Sequence, residues 1–197
     1  MPFLDHFSFI APFYERFIQA EEPVKLISLL DLPVDGSLLD VGGGTGRISD
    51  ALKHLVRRAF VLDQSRGMVD QAAQKQGLRT VHGESERLPF ADRSFERVIM
   101  VDALHHVASQ VKTAGELWRV LKPGGMIVIE EPNIHILGVK MVALGERLLL
   151  MRSHFLTPWK ISRLFDDSQA SIRIATEGTI SWVVVEKMAL TDYPATG

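Results

Sequence analysis

The chain has 197 residues, no cysteine and a formal net charge of −2, a length sufficient for one sizeable hydrophobic core. Hydrophobic residues make up 46% and charged residues 23%, which is ordinary for a globular protein, and the near-neutral balance gives no field that would favour nucleic acid. Without cysteine there is no disulfide, no thiolate nucleophile and no Cys-ligated zinc, a composition that fits a reducing cytoplasm.

The opening MPFLDHFSFIAPFYERF carries acids and lacks a basic start, so no secretory leader is expected. Its positions 3, 7, 10, 14 and 17 share a helical face, with a break at Pro12. Glu22-Pro23 then opens a helix that runs through Leu30. From Ser37 strand and helix patterns alternate. SLLDV (37–41) reads as a strand, and Ile48, Ala51, Leu52, Leu55 and Val56 form the apolar stripe of a helix. AFVLD (59–63) is a second strand. Met68, Val69, Ala72 and Ala73 mark a helix closed by Gly77, and LRTVHG (78–83) is a third strand. Glu96 to Val101 reads as a strand covered on both faces, Val111 to Leu121 as a helix stopped by Pro123-Gly124-Gly125, and MIVIEE (126–131) as a fifth strand. Such alternation predicts a doubly wound α/β fold with ligands at the carboxyl edge of the sheet.

After Asn133 the pattern predicts an apolar helix over 134–151, which Lys140, Glu146 and Arg147 make too charged to span a bilayer. Thr157-Pro158 starts another helix through Asp166, and two strands follow, joined by a turn at Glu177-Gly178. Lys140, Arg147, Arg152, Lys160 and Arg163 could meet a membrane surface, but helices packed on the sheet with solvated charges is the favoured reading. The seven histidines show no metal-ligand spacing.

The most informative stretch is Leu38–Ser49, LLDVGGGTGRIS. A strand delivers the chain to a turn tight enough for backbone to touch a ligand, and the following helix start offers N–H groups that suit a negative ligand group. No frame of its glycines fits the dinucleotide pattern G-x-G-x-x-G, and no Gly-Lys-Ser/Thr follows, so a Walker loop fails as well. The pattern that fits is acid-x-G-x-G-x-G, at Asp40, Gly42, Gly44 and Gly46. It resembles motif I of the class I S-adenosylmethionine (SAM) dependent methyltransferases. Asp63 ends the second strand, 17 residues past Gly46, where a carboxylate can accept both hydroxyls of a ribose or serve the next helix as its cap. Residues 82–107, HGESERLPFADRSFERVIMVDALHHV, closely resemble the G-D-A-E-x-L-P-F-x-D-x-S-F-D-x-V stretch of the same family, and RVLKPGGMIVIEEP (119–132) resembles its fifth strand. HFSFIAPFYERF is similar to the opening of the quinone-biosynthesis-like members.

That resemblance implies a Rossmann-like, mostly parallel seven-stranded sheet in a single domain. Residues 1–36 would form a helical cap, 37–132 the SAM-binding core, and 133–197 a helical lid with a terminal strand pair. It implies SAM as cofactor and S-adenosylhomocysteine (SAH) as product. Gly42, Gly43, Gly44 and Gly46 would wrap the methionine part, with Asp40 supporting the loop or the amino group. Asp63 and Gln64 would hold the ribose side, Met68 the adenine face, and Gly83, Glu84 and Ser85 the adenine edge. Val101 and Asp102 would give backbone contacts to the ammonium. The family more often has Asp at the positions of Glu84 and Glu96; the extra methylene of Glu84 would shift the adenine contact, and Glu96 reads as structural. Methyl transfer needs positioning and exclusion of water rather than a nucleophile. His105 and His106, just past the fourth strand, are the candidates for a base or acceptor contact; Glu130 and Glu131 end the fifth strand on the ligand edge, where one could touch substrate, a surface or capping role being the favoured reading. The family's amino-methylating DNA enzymes carry Asn/Asp-Pro-Pro-Tyr where this chain has Asp102-Ala103-Leu104-His105, which disfavours that class. The expected function is methyl transfer to a small apolar or aromatic acceptor. A SAM-binding regulator without transfer activity and a SAM enzyme doing other chemistry share these features, and the glycine spacing opposes a nicotinamide oxidoreductase.

Overall fold

The computed structural model describes residues 23–133 and 154–189. The aromatic face at 3–17 and the helix expected over 134–151 lie outside these residues. Seven strands form one sheet in the order β3-β2-β1-β4-β5-β7-β6. They are β1 (Val34–Val41), β2 (Val56–Asp63), β3 (Leu78–His82), β4 (Phe95–Val101), β5 (Leu121–Pro132), β6 (Ala170–Glu177) and β7 (Ile180–Lys187). The first five pair in parallel, and β7 runs antiparallel to both β5 and β6. The order reverses between β1 and β4, and that switch point is where open α/β sheets bind ligands.

Helices α1 (Val24–Leu29), α2 (Arg47–Leu52), α3 (Arg66–Ala72), α4 (Gln110–Val120) and α5 (Pro158–Ser162) connect and flank the strands. Side-chain caps fix three of their starts. Ser65, Ser109 and Thr157 each accept from the N–H three residues on, with Pro158 in the first turn of α5 as its sequence suggests. Helix α2 stops at Leu52, four residues short of the expected Val56, because Val56 pairs with Val34 and belongs to β2. The helix expected to reach Asp166 is α5 followed by a 3₁₀ turn over Arg163–Phe165. Strand β5 begins five residues early because Leu121 already pairs with Phe95, ahead of a register shift at Pro123–Gly125. Among the described residues no helix is long and apolar enough to cross a membrane.

The core lies on both faces of the central strands. Leu38, Leu39, Val41, Val98, Ile99, Ile127, Val128 and Ile129 are fully buried, which explains why these strands read as continuous apolar runs. The LPF–SF portion of the 82–107 stretch turns out to be a packing motif. Phe60, Phe90 and Phe95 form a mutual edge-to-face trio with centroids 4.9–6.0 Å apart. Arg119 clamps the loop that carries them. Its guanidinium bonds both oxygens of Glu116 at 2.7 Å, Asp92 at 2.7 Å, and the carbonyls of Phe90 and Leu88 at 2.8 and 3.0 Å. Glu116 in turn accepts the Leu88 N–H at 2.7 Å. Glu96 lies at the opposite end of the sheet from the switch-point edge and holds the Ser37 N–H and Lys122, a structural role. Replacing Arg119 with Ala should lower the unfolding free energy by about 1–3 kcal/mol. Urea denaturation checks this, and an unchanged midpoint would mean that packing alone holds the loop.

Candidate cofactor-binding site

A cleft of about 430 Å³ opens at the switch point, along the carboxyl ends of β1, β2, β4 and β5. Twelve of the residues singled out from the sequence line it: Asp40, Gly42, Gly43, Gly44, Asp63, Gln64, Met68, Gly83, Ser85, Val101, Asp102 and His106. Its size falls in the range of roughly 300–1,000 Å³ common for small-molecule sites.

The glycine loop makes space more than it donates hydrogen bonds. A Cβ on Gly43 would lie 2.6 Å from the Asp40 carboxyl carbon, so only glycine lets the main chain pass over that acid. The Gly42 and Gly43 N–H groups both donate to the Leu62 carbonyl, at 2.8 and 3.2 Å. Gly44 donates to Asp63 Oδ2 at 2.9 Å, and Gly46 to the Gly43 carbonyl at 2.9 Å. These four donors are thus used inside the protein, unlike a phosphate-binding loop, whose N–H groups face the ligand.

Asp40 is 1% exposed. Its Oδ2 accepts from Ser49 Oγ at 2.8 Å, while Oδ1 is buried with no hydrogen-bond partner. Burial pushes its pKa up to about 7; the Ser49 bond opposes that shift, the charge of Asp63 adds to it, and Arg47 opposes it. Asp63 is not the cap of α3, which is Ser65. The Asp63 carboxylate accepts from Ser65 N at 2.8 Å through Oδ1 and from Gly44 N through Oδ2.

Three expected residues stand apart from the cleft lining. Gly46 starts α2 at φ +75°, where a Cβ would lie 2.8 Å from Leu78 and 3.2 Å from Ala72; its glycine serves helix packing. Glu84 is exposed. His105, expected as a possible base, is 2% exposed and does not line the cleft. Its Nδ1 meets Glu131 Oε2 at 2.7 Å, and its ring stacks on Phe155 with centroids 4.1 Å apart. The 3₁₀ turn over Leu104–His106 packs the two imidazoles against each other, with centroids 3.9 Å apart; His106 lines the cleft and His105 is buried behind it. Burial, with the neighbouring His105 charge, pushes the His106 pKa down to about 4.

Glu130 and Glu131 are not surface acids. Both line the cleft. Glu131 caps the loop by accepting the Leu104 N–H at 2.8 Å, and Glu130 accepts from Trp182 Nε1 at 2.6 Å. Burial raises the Glu130 pKa, the Trp182 bond opposing. The sequence reading passed over Arg47, Thr179 and Ile180, which also line the cleft. Arg47 directly follows the last glycine of the motif and could have been found by asking where that side chain must point. Thr179 and Ile180 arrive from the β6–β7 turn, where the Thr179 carbonyl accepts the Asn133 N–H at 2.7 Å. No local signal marks them.

Residues 39–129 match a family described as a methyltransferase domain. The demethylmenaquinone methyltransferase of Clavibacter sepedonicus is 39% identical over 104 residues, covering 50% of this chain and 42% of that protein. The demethylmenaquinone methyltransferase of Thermobifida fusca (strain YX) is 30% identical over 153 residues, covering 74% of this chain and 61% of that protein. The chain thus spans about half the length of the curated relatives it matches. A crystal structure of a SAM-dependent methyltransferase from Thermotoga maritima superposes with a TM-score of 0.73 at 19% identity, covering 92% of this chain and 97% of that one, a likeness of fold. With its seven-stranded sheet, its glycine loop over a buried acid and a methyltransferase-domain match across residues 39–129, the chain resembles the class I SAM-dependent methyltransferases and is similar in sequence to quinone-biosynthesis enzymes among them.

Proposed function

We propose that the protein transfers a methyl group from SAM to a small, apolar or aromatic acceptor. The observation that carries this reading is the charge of the cleft. Five carboxylates line it (Asp40, Asp63, Asp102, Glu130 and Glu131), with Arg47 as the one guanidinium or ammonium among the described lining residues. SAM bears a sulfonium and an ammonium against one carboxylate, which complements that inventory. A dinucleotide bears a pyrophosphate, which would meet acids and a loop whose N–H donors are already engaged. The residues present fit the cofactor. Asp40 keeps a buried, unpartnered oxygen, the bare Gly43 backbone leaves room for a ligand, and the Asp63 carboxylate lines the cleft where a ribose diol could donate to it.

When bound, SAM supplies a methyl group on a positively charged sulfur, and its transfer is an in-line displacement that asks no nucleophile of the protein. The chain's own residues position the partners and exclude water. Asp63 would anchor the ribose and thereby tie ligand binding to the Gly44 main chain. Met68 would lie against the adenine, with Gln64, Gly83 and Ser85 beside it. Glu84, exposed, would at most cover the adenine edge from outside. Val101 and Asp102 would meet the ammonium through the end of β4. Ile48, Met100, Ala103, Val107, Pro132 and Ile180 give the remaining wall an apolar character suited to an aromatic acceptor. His106, uncharged at neutral pH, would accept a hydrogen bond from an acceptor hydroxyl. So weak a base suits an acceptor with an acidic proton of its own, such as a phenol or hydroquinone. The names of the demethylmenaquinone relatives support the same class.

Thermal unfolding with SAM, SAH and NAD tests the reading. SAM or SAH at 100 times its Kd should add roughly 2.7 kcal/mol, and NAD should add nothing; stabilisation by NAD alone contradicts the proposal. Asp63→Ala should weaken SAM binding by about 10-fold or more in calorimetric titration, and wild-type affinity would remove Asp63 from the ribose site.

A pH dependence follows from Asp40. Folded Asp40 keeps its proton up to about 7, whereas a free Asp releases it near 3.8. Between those values the native state binds more protons, so the Asp40 contribution to stability falls as pH rises and is fully lost above about 7. Asp40→Asn keeps the partner for Ser49 and should flatten this slope in ligand-free protein. Binding a cationic ligand favours the ionised carboxylate, so SAM affinity of the wild type should rise through the same range. A flat affinity profile that matches Asp40→Asn would contradict the linkage.

A further inference from the structure

Arg47 is a cation in a cleft of acids with nothing in the described protein to hold it in a bond. It is the first residue of α2 and is half-buried, and its guanidinium has no hydrogen bond or ion pair among the described residues. It feels Asp40 and Glu130 only at a distance, through their fields. Those two acids also locate it. Asp40 lies one residue before the end of β1, and Glu130 lies near the end of β5, two strands further along the sheet. Asp63 ends β2, on the other flank of β1. Neighbouring strands lie about 4.8 Å apart, so β2 and β5 are separated by about 14 Å across the cleft. An elongated ligand with its ribose at Asp63 therefore extends its other end across β1 and β4 toward Arg47 and Glu130.

Resting on the SAM reading above, we propose that Arg47 binds the α-carboxylate at the amino-acid end of the cofactor. Of the ligand's three charges, that carboxylate is the one the surrounding acids repel, and it needs a cation of its own. A guanidinium with all its donors available meets a carboxylate with two parallel N–H bonds. Asp40 completes the zwitterion match: its carboxyl group lies beneath the Gly43 main chain at the edge of the cleft, where its field favours the ammonium on the same carbon as the carboxylate. Arg47 thereby selects ligands with a complete amino-acid end over those that carry only the thioadenosine part.

Calorimetric titration with three probes tests the assignment: SAH, decarboxylated SAM, and 5′-methylthioadenosine, which lacks the amino-acid end. In Arg47→Gln, SAH affinity should fall about 10- to 100-fold, while 5′-methylthioadenosine affinity should stay within about twofold, which also reports that the variant is folded. Wild type should prefer SAM to decarboxylated SAM, and Arg47→Gln should lose that preference, with Arg47→Lys recovering part of it. Equal losses for SAH and 5′-methylthioadenosine, or none for either, in a wild type that binds SAH would overturn the Arg47 assignment alone. A wild type that binds neither SAM nor SAH would overturn the cofactor reading and the assignment together.

Discussion

The site depends on one close approach: the main chain at Gly43 crosses directly over the buried carboxyl group of Asp40. No side chain fits between them, so the loop lies flat on the end of β1 and leaves a cleft above it. The loop's N–H groups are tied to Leu62 and Asp63 on β2, so its shape is held by the sheet without a ligand. Such a loop is pre-organised, and a ligand that enters need not order it. The cost falls on Asp40, which loses water without gaining a full set of bonds and holds its proton to about 7.

This arrangement separates two kinds of nucleotide-like ligand that glycine-rich turns otherwise serve. Phosphate-binding turns aim their N–H groups outward at an anion. Here those of Gly42, Gly43, Gly44 and Gly46 are turned inward, and carboxylates from β1, β2, β4 and β5 rim the opening. The electrostatics thus favour a cation with a sugar attached. The antiparallel β7 serves this end as well. Its Trp182 holds Glu130 in the cleft wall, and the β6–β7 turn brings Thr179 and Ile180 to the far side. Glu131 fastens the loop after β4 by its backbone and by His105, which leaves His106 as the imidazole in the cavity.

Much of this was legible in the sequence, for reasons that differ between elements. The strands that lead into the cleft, β1, β2 and β4, read as apolar runs with an acid at or beside their ends; Asp63 could be placed at the site from that local pattern, whereas Asp40 and Asp102 were placed there by the family resemblance. Boundaries failed where pairing overrode propensity, at Val56 and at Leu121. The stretch from Gly83 to Val98 divided in an instructive way. Gly83 and Ser85 face the cleft, whereas Leu88, Phe90, Asp92 and Phe95 serve the aromatic trio and the Arg119 clamp. His105 and His106 could not be told apart, because only the turn geometry and the distant Glu131 and Phe155 decide which one is buried. Thr179 and Ile180 were invisible for the same reason: they reach the site through the order of the strands.

The central claim is that this acid-lined cleft, with its glycine floor, holds a sulfonium nucleoside. The most direct measurement is a crystal structure of the protein grown with SAH. The account predicts a ligand with its ribose diol on Asp63 and its amino-acid chain lying over Gly42–Gly44. SAH bound elsewhere on the molecule, with the cleft at the switch point left without it, would contradict the account.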